Sequence, residues 1–426
     1  MTQPTVPAEF EEVMNDRPPA ADDVRMRGFL RRARVCEVVD WIDAVIQPLP
    51  PVICPLSQAA GRVLAQEVVA TIDVPGFDRS AMDGYATVAE QTVGASEYAP
   101  VRLKVVGEAL PGRPWLGRLE AGNAVRIMTG APIPAGADAV VPVEQVRSAD
   151  DAVDVCAAIP SGKHIGRRGE DLSRGTTVLT AHRRLRPQDV GVVASLGIPK
   201  LAVVRQPLVR ILVTGNELIS PGEPLPPHQI YEANSAILRG LIERDGGHVT
   251  EVRRVPDDRQ QLAELLSSPD ADVLLISGGS SVGREDFIPL LLAEQGELAF
   301  HGIAMRPSSP AGCGRLGETL VFLLPGNPVS CLCAYDFFAG RAIRQLGGRI
   351  ADWSYQSTEA VLSRKLISQV GRTDYCRVRN GPTGTDPLAI SGASILSSTV
   401  RADGFVVIPE ESEGHAAGEK VKVWLY

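Results

Sequence analysis

The sequence predicts a multidomain protein of α/β and β type, built on a doubly wound domain with a β-rich domain before it and a small C-terminal β domain after it. Three observations carry this. Residues 207–345 alternate apolar strand-like runs with helical spacing, whereas 74–165 consist of short Val/Ile/Leu runs broken by Gly and Pro. Beyond about 356 the short β-like rhythm returns and continues to the terminal VKVWLY. With 426 residues, 44% of them hydrophobic, the chain can bury more than one core, consistent with roughly two to four domains.

Taken in order, residues 1–34 mix Pro and acidic residues with a basic cluster of Arg25, Arg27, Arg31, Arg32 and Arg34. They read as an N-terminal extension, partly disordered, with the cluster on a solvated helix face. Val38, Trp41, Ile42 and Val45 then recur at helical spacing before the Pro48–Pro51 break. In the doubly wound stretch, Leu208–Val213 is an apolar strand ending in Thr214-Gly215. Ile237, Leu238, Leu241 and Ile242 give a helix that stops at Gly246-Gly247. A strand near Val249–Val255 precedes a helix carrying Leu262, Leu265 and Leu266. Val273–Ile276 runs into Ser277-Gly278-Gly279, and Val321–Leu324 ends in Pro325-Gly326-Asn327-Pro328 ahead of a further helix. This alternation implies a parallel sheet with helices on both faces. Ligands of such sheets bind outside the carboxyl ends of the strands, so the Gly-bearing loops are expected to share one crevice.

Composition excludes several function classes. The net charge of -8 gives no general attraction to nucleic acid or to an acidic membrane surface. No apolar run approaches the ~18–20 residues needed to span a bilayer, and the N-terminus lacks the basic start and apolar stretch of a secretory signal. Seven cysteines without framework spacing fit reduced thiols, and hence a cytoplasmic protein; Cys331 and Cys333, two apart on a helix, read as buried thiols. The six histidines are scattered without metal-ligand spacing, and no Ser/His/Asp or Cys/His nucleophile arrangement is evident.

Three constellations remain. Ser277-Gly278-Gly279-Ser280-Ser281-Val282-Gly283-Arg284-Glu285-Asp286 exposes backbone N–H groups and hydroxyls at a helix start, which suits phosphate or another anion. It matches neither the dinucleotide fingerprint nor the P-loop. Asp286 would repel phosphate unless a cation lies between them, which points to Mg2+. Glu217, and Asp257-Asp258 after Val255, lie near strand ends on the same edge; with Asp286 they suggest a metal site, although Asp258 equally suits a helix cap. Asp78–Ala86, Arg126–Pro132 and Arg167–Asp171 are polar stretches, each also readable as a turn with a salt bridge.

Together these segments resemble the molybdopterin molybdenumtransferase family, which includes the E domain of gephyrin. The resemblance covers about 36–426 and runs through DVPGFDRSAMDGYA, RIMTGAPIPAGADAVVPVE, RRGEDL, SLGI, TGNEL, QIYEANS, ISGGSSVGREDF and LPGNPVS in fixed order. It implies a homodimer with four domains per subunit: a linking domain split over 35–73 and 166–206 around a β-rich inserted domain at 74–165, a doubly wound molybdopterin-binding domain at 207–355 and a C-terminal β domain at 356–426. It implies Mg2+-dependent insertion of molybdate into adenylylated molybdopterin with release of AMP, downstream of a molybdopterin adenylyltransferase, and no nucleic-acid or membrane partner.

By resemblance Asp83, Thr129 and Asp171 face the crevice from other domains or the partner subunit, and act in catalysis with Glu217 and Asp286. Glu217, Asp257 and Asp286 surround metal and phosphate. Ser277, Gly278, Gly279, Ser281, Pro325, Gly326 and Asn327 bind substrate, and Arg306, Ser330 and Arg377 attend to molybdate. The chain departs from the family at its molybdate end. Arg306-Pro307-Ser308-Ser309-Pro310 stands for Lys-Pro-Gly-Lys-Pro, Gly302 occupies a second basic position, Asn216 stands where Asp is common, and Ser391–Ser394 lacks the usual Gln. Fewer cations there leave open a second reading, a non-catalytic pterin-binding or scaffold paralogue.

Overall fold

Every apolar run read as a strand between 207 and 345 enters one six-stranded sheet. The computed structural model describes residues 29, 31–280, 283, 286–382 and 384–426. Most of the 1–34 extension, with Arg25 and Arg27, lies outside the described residues, as does Ser281. The chain divides into two compact units, one of 1–52 with 204–426 and one of 53–203.

In the first unit, α1 (Val35–Val45) is followed by β1 (Leu208–Thr214), α2 (Asn234–Asp245), β2 (His248–Val255), α3 (Arg259–Leu266) and β3 (Val273–Ser277). Then come α4 (Ile288–Gln295), β4 (Glu297–His301), β5 (Gly312–Leu316), β6 (Thr319–Leu324), α5 (Pro328–Ala334) and α6 (Gly340–Leu346), with one π turn at Tyr335–Ala339 between the last two helices. The sheet order is β2-β1-β3-β6-β5-β4. Alternation along β1 assigns the two faces. Val209, Ile211 and Val213 pack with α1, α2, α5 and α6, while Leu212 packs with α3 and α4. The helix expected to stop at Gly246-Gly247 does so, with Gly246 at φ +92° closing α2 in the left-handed region.

The sheet is not wholly parallel. β2, β1, β3 and β6 are parallel, but β5 runs antiparallel to both β6 and β4. The ELAFH and GCGRL runs carry too little apolar periodicity to announce themselves. A Cβ on Gly314 would lie 1.9 Å from the Glu297 carbonyl oxygen, so the pairing depends on a bare backbone there. The basic cluster also differs from expectation: Arg31, Arg32 and Arg34 precede α1, and Ala33 between them bridges Ile303 in strand fashion.

The C-terminal sheet contains β7 (Gln356–Val361), β8 (Thr373–Gly381), β9 (Gly384–Ala389), β10 (Gly404–Ile408) and β11 (Lys420–Leu425). Its order is β8-β10-β11-β7, with β9 on β8, and the short strand Met305–Arg306 joins β8 in parallel register. Trp353 meets Phe337, Phe405 and Trp424 edge to face at 5.1, 5.2 and 4.9 Å, joining the helical layer to this sheet.

The second unit is dominated by a six-stranded sheet ordered Ala139–Pro142, Gly84–Thr87, Asn123–Ile127, Val101–Ala109, Ala152–Val155 and Val146–Ala149. All seven cysteines are free, and burial pushes the Cys331 thiol up to about 12, which fits an inert structural thiol. Among the described residues no helix is long and apolar enough to cross a membrane.

Candidate functional site

Because β2, β1, β3 and β6 are parallel, their carboxyl ends open on one edge of the sheet, and four loops begin there. Thr214 lies beside Val255, Val213 beside Ser277, and Ser277 beside Leu324. The loop after β3 is shaped by its glycines. Gly278 adopts φ +99° and donates its N–H to the Leu324 carbonyl at 3.1 Å; a Cβ there would stand 2.2 Å from the Thr214 carbonyl oxygen. Only glycine combines that dihedral with that approach.

Asn234, at the start of α2, holds two of the loops together. Its Nδ2 donates to Ser277 Oγ at 2.8 Å and to the Gly326 carbonyl at 2.7 Å. Sequence reasoning did not single out Asn234, although it stands in the QIYEANS segment. A polar residue opening a helix and bordered by Gly-bearing strand ends was the available signal. Ser280 donates to the Leu324 carbonyl at 3.3 Å, and His301 Nε2 lies 2.8 Å from the Ser280 carbonyl, so that nitrogen carries the proton. Pro325-Gly326-Asn327 leads directly into α5, with Asn327 at its N-cap.

The acidic residues flank this edge without gathering. Both Asp257 oxygens are engaged, one by the Thr214 hydroxyl and the other by the Asn216 N–H at 3.2 Å. Asn216 Oδ1 in turn accepts from the Asp257 N–H at 3.2 Å, which an uncharged side chain does without setting two carboxylates against each other. Asp286 accepts from the Gly283 N–H at 2.6 Å through one oxygen. Glu217 is exposed. Asp258 caps α3 by accepting from the Gln261 N–H at 2.9 Å. Among the described residues no group of three His, Cys, Asp or Glu side chains could hold a metal ion.

The basic end is organised by β8. Asp374, fully buried, accepts from Arg306 and from Ser368 Oγ at 2.7 Å, with Arg372 Nε at 3.2 Å. Arg377 is 0% exposed and donates to the carbonyls of Ala389, at 3.3 Å, and Ser391. No carboxylate pairs with it among the described residues, and its Nη1 has no hydrogen-bond partner. Arg306 Nε and the Ser309 hydroxyl are likewise buried without a partner. Ser330 is buried, and its carbonyl accepts from Ser308 Oγ at 2.6 Å. A desolvated cation costs several kcal/mol unless an anion compensates it, so this arrangement suits a small oxyanion.

In the second unit Asp83 and Thr129 stand together. Asp83 Oδ1 accepts from the Thr129 hydroxyl and N–H, both at 2.7 Å, and the hydroxyl first and then the N–H lower its pKa. Asp171 is exposed. The turn-with-salt-bridge reading holds for its neighbours: Arg167 pairs with Asp78 at 2.9 Å and Arg168 with Asp73 at 2.7 Å.

Comparison with known proteins agrees along the chain. Residues 33–197 match the family described as the MoeA N-terminal region (domain I and II), 210–345 a probable molybdopterin binding domain, and 359–426 the MoeA C-terminal region (domain IV). Molybdopterin molybdenumtransferase 2 of Mycobacterium tuberculosis is 38% identical over 387 residues, covering 88% of this chain and 95% of that protein. The molybdopterin molybdenumtransferase of Haemophilus influenzae is 33% identical over 376 residues, covering 86% and 92%. The crystal structure of the molybdopterin biosynthesis moeA protein from Pyrococcus horikoshii OT3 superposes with a TM-score of 0.75 at 33% identity, covering 93% of this chain and all of that one.

Proposed function

This chain belongs to the molybdopterin molybdenumtransferase (MoeA) family, and from that membership we propose that it inserts molybdate into adenylylated molybdopterin, releasing AMP and forming molybdenum cofactor in the cytoplasm. The observation that carries the reading is Arg377, a fully buried guanidinium with a free Nη1 and no carboxylate partner among the described residues. A buried cation in that state is compensated when a dianionic oxyanion joins it. Arg306, Ser309 and Ser330 complete the donor set at that end.

The loop after β3 takes the phosphates through its N–H groups and hydroxyls, and the Pro325-Gly326-Asn327 turn bounds the pterin side. Mg2+ takes one or two carboxylates and fills its remaining positions with phosphate oxygens and water. Asp286, one of whose oxygens accepts from Gly283, or the exposed Glu217 would each offer one such carboxylate; Asp257, committed to Thr214 and Asn216, serves to shape the β1 loop. When bound, the ion neutralises phosphate charge during cleavage of the adenylyl bond. The chain's own part is to orient the phosphates and hold the oxyanion for transfer to the dithiolene sulfurs. We infer that the protein acts as a homodimer and that a molybdopterin adenylyltransferase supplies the substrate.

Complementation tests the reading. Expressed in a strain lacking molybdate insertion, the chain should restore molybdoenzyme activity at ordinary molybdate. Absence of rescue at both ordinary and raised molybdate, with the protein folded and abundant, would favour the scaffold reading, which the engagement of Arg306 by Asp374 supports.

A further inference from the structure

The segment just before α1 is attached to the substrate edge of the sheet. Ala33 pairs with the 302–304 backbone: its N–H donates to the Gly302 carbonyl at 2.9 Å, and its carbonyl accepts from Ala304 at 2.7 Å. Phe29 lies edge-on to His301, with ring centroids 4.9 Å apart. His301 closes β4, which runs parallel to β6 across the antiparallel β5, so it emerges on the edge where the loops gather. Its Nε2 donates to the Ser280 carbonyl at 2.8 Å.

Gly302 fits this attachment. It has φ +87°, and a Cβ there would lie 2.4 Å from the Phe29 ring. A basic side chain at 302 would have to displace Phe29. The segment that takes that space brings its own cations. Arg32 stacks over Phe29 at 5.8 Å, and both Arg31 and Arg32 are exposed and without a carboxylate partner among the described residues. Arg34, by contrast, is bound to Glu410.

We propose that Phe29 and residues 31–34 act as a built-in arm of the substrate site. Phe29 positions His301 and, through it, the Ser280 end of the anion-binding loop. Arg31 and Arg32 supply positive charge at the edge through which the phosphate-bearing substrate enters. The inference rests on the proposed function for the identity of the anion.

The test measures Kd for adenylylated molybdopterin on the full chain, in parallel with AMP release, at low and high ionic strength. Arg31→Gln/Arg32→Gln should raise Kd roughly fivefold at low ionic strength, and added salt should close the gap, which loss of a merely structural contact would not do. Phe29→Ala should raise Kd by about tenfold at both ionic strengths through the misplaced loop, with Phe29→Tyr close to wild type. A Kd within twofold of wild type at low ionic strength in either the charge variant or Phe29→Ala overturns the proposal. If wild type binds but releases no AMP, the functional reading fails while the Kd comparison still decides the arm. If wild type does not bind, both are overturned.

Discussion

Two groups of arginines in the first unit behave in opposite ways. Beneath α2 and α6, Arg344 approaches Asp245 at 3.1 Å, and Arg244 bridges Asp245 and Asp336 at 2.8 and 3.0 Å. Tyr355 and Ser354 donate to the same carboxylates at 3.0 and 2.6 Å, and Arg244 lies over the Tyr355 ring. Each charge has an opposite charge in reach. On β8 of the same unit, Arg377 is fully buried but rests on two carbonyls with one nitrogen left over. In the paired group each guanidinium meets a carboxylate and three elements are tied together, although Arg344 Nη1 is held only by its 3.1 Å ion pair with Asp245, whereas Arg377 has no carboxylate to offset its charge among the described residues. Burial alone therefore says little about the role of a charge; the state of its partners does.

The largest effect should come from breaking the paired group. Arg344→Met leaves Asp245 short of a partner and should cost about 3–5 kcal/mol in denaturant-induced unfolding. Equal stability of mutant and wild type would mean that the ion pairs do not hold this group together. Arg377→Met should be the reverse. It deletes an uncompensated cation, so stability should hold within ~1 kcal/mol or rise, while the molybdate needed for insertion rises roughly tenfold or more, matching about 1.5–3 kcal/mol for a lost charge-assisted contact. Unfolding together with a molybdate titration separates the two outcomes.

The smallest effect concerns pH within the paired group. Burial lifts the Asp336 carboxyl to about 6, against the pull of Arg244, from the 3.8 of an unperturbed Asp. For Asp245 burial also acts upward, but Arg244 and Arg344 bring it below its ordinary value. Between about 4 and 6 the native chain thus binds more protons at Asp336 than the unfolded chain does, so this group's contribution to stability falls as pH rises through that window. Other carboxylates have the opposite slope, as at Asp189, which Arg186 holds well below the usual range. The clean measurement is the difference between wild type and Asp336→Asn: relative to the variant, wild type should lose stability as pH rises from 4 to 6. A parallel pair of pH–stability curves would contradict the assignment.

Much of the architecture was legible because the doubly wound stretch states its pattern locally. β3 and β6 are near-continuous apolar runs, β1 is interrupted within its apolar run only by Arg210, and Gly246 marks the end of α2 as a left-handed position must. The crevice followed from a general rule about parallel strands, and the loops at Ser277 and Pro325 do open on one edge. β4 and β5 were not legible, since their pairing depends on close backbone approach at Gly314 rather than on side-chain periodicity. Among the acidic residues, local spacing placed Glu217, Asp257 and Asp286 on the edge but could not tell which oxygens were already taken.

What the sequence by itself determined, then, is the alternation of the parallel strands with their helices, the presence of helices on both faces of the sheet, the loops on its edge and the family. Each of these depends on residue type at short range or on long motifs in fixed order. What only the tertiary structure decided is how partners are distributed across long separations: Asp257 with Thr214, Asn234 with Gly326, Arg306 with Asp374, and Phe29 with His301. The physical reason is that a hydrogen bond or ion pair between residues tens to hundreds of positions apart leaves no periodic trace in the chain. Whether a buried arginine is satisfied or waiting for an anion is a property of that pairing and not of the arginine.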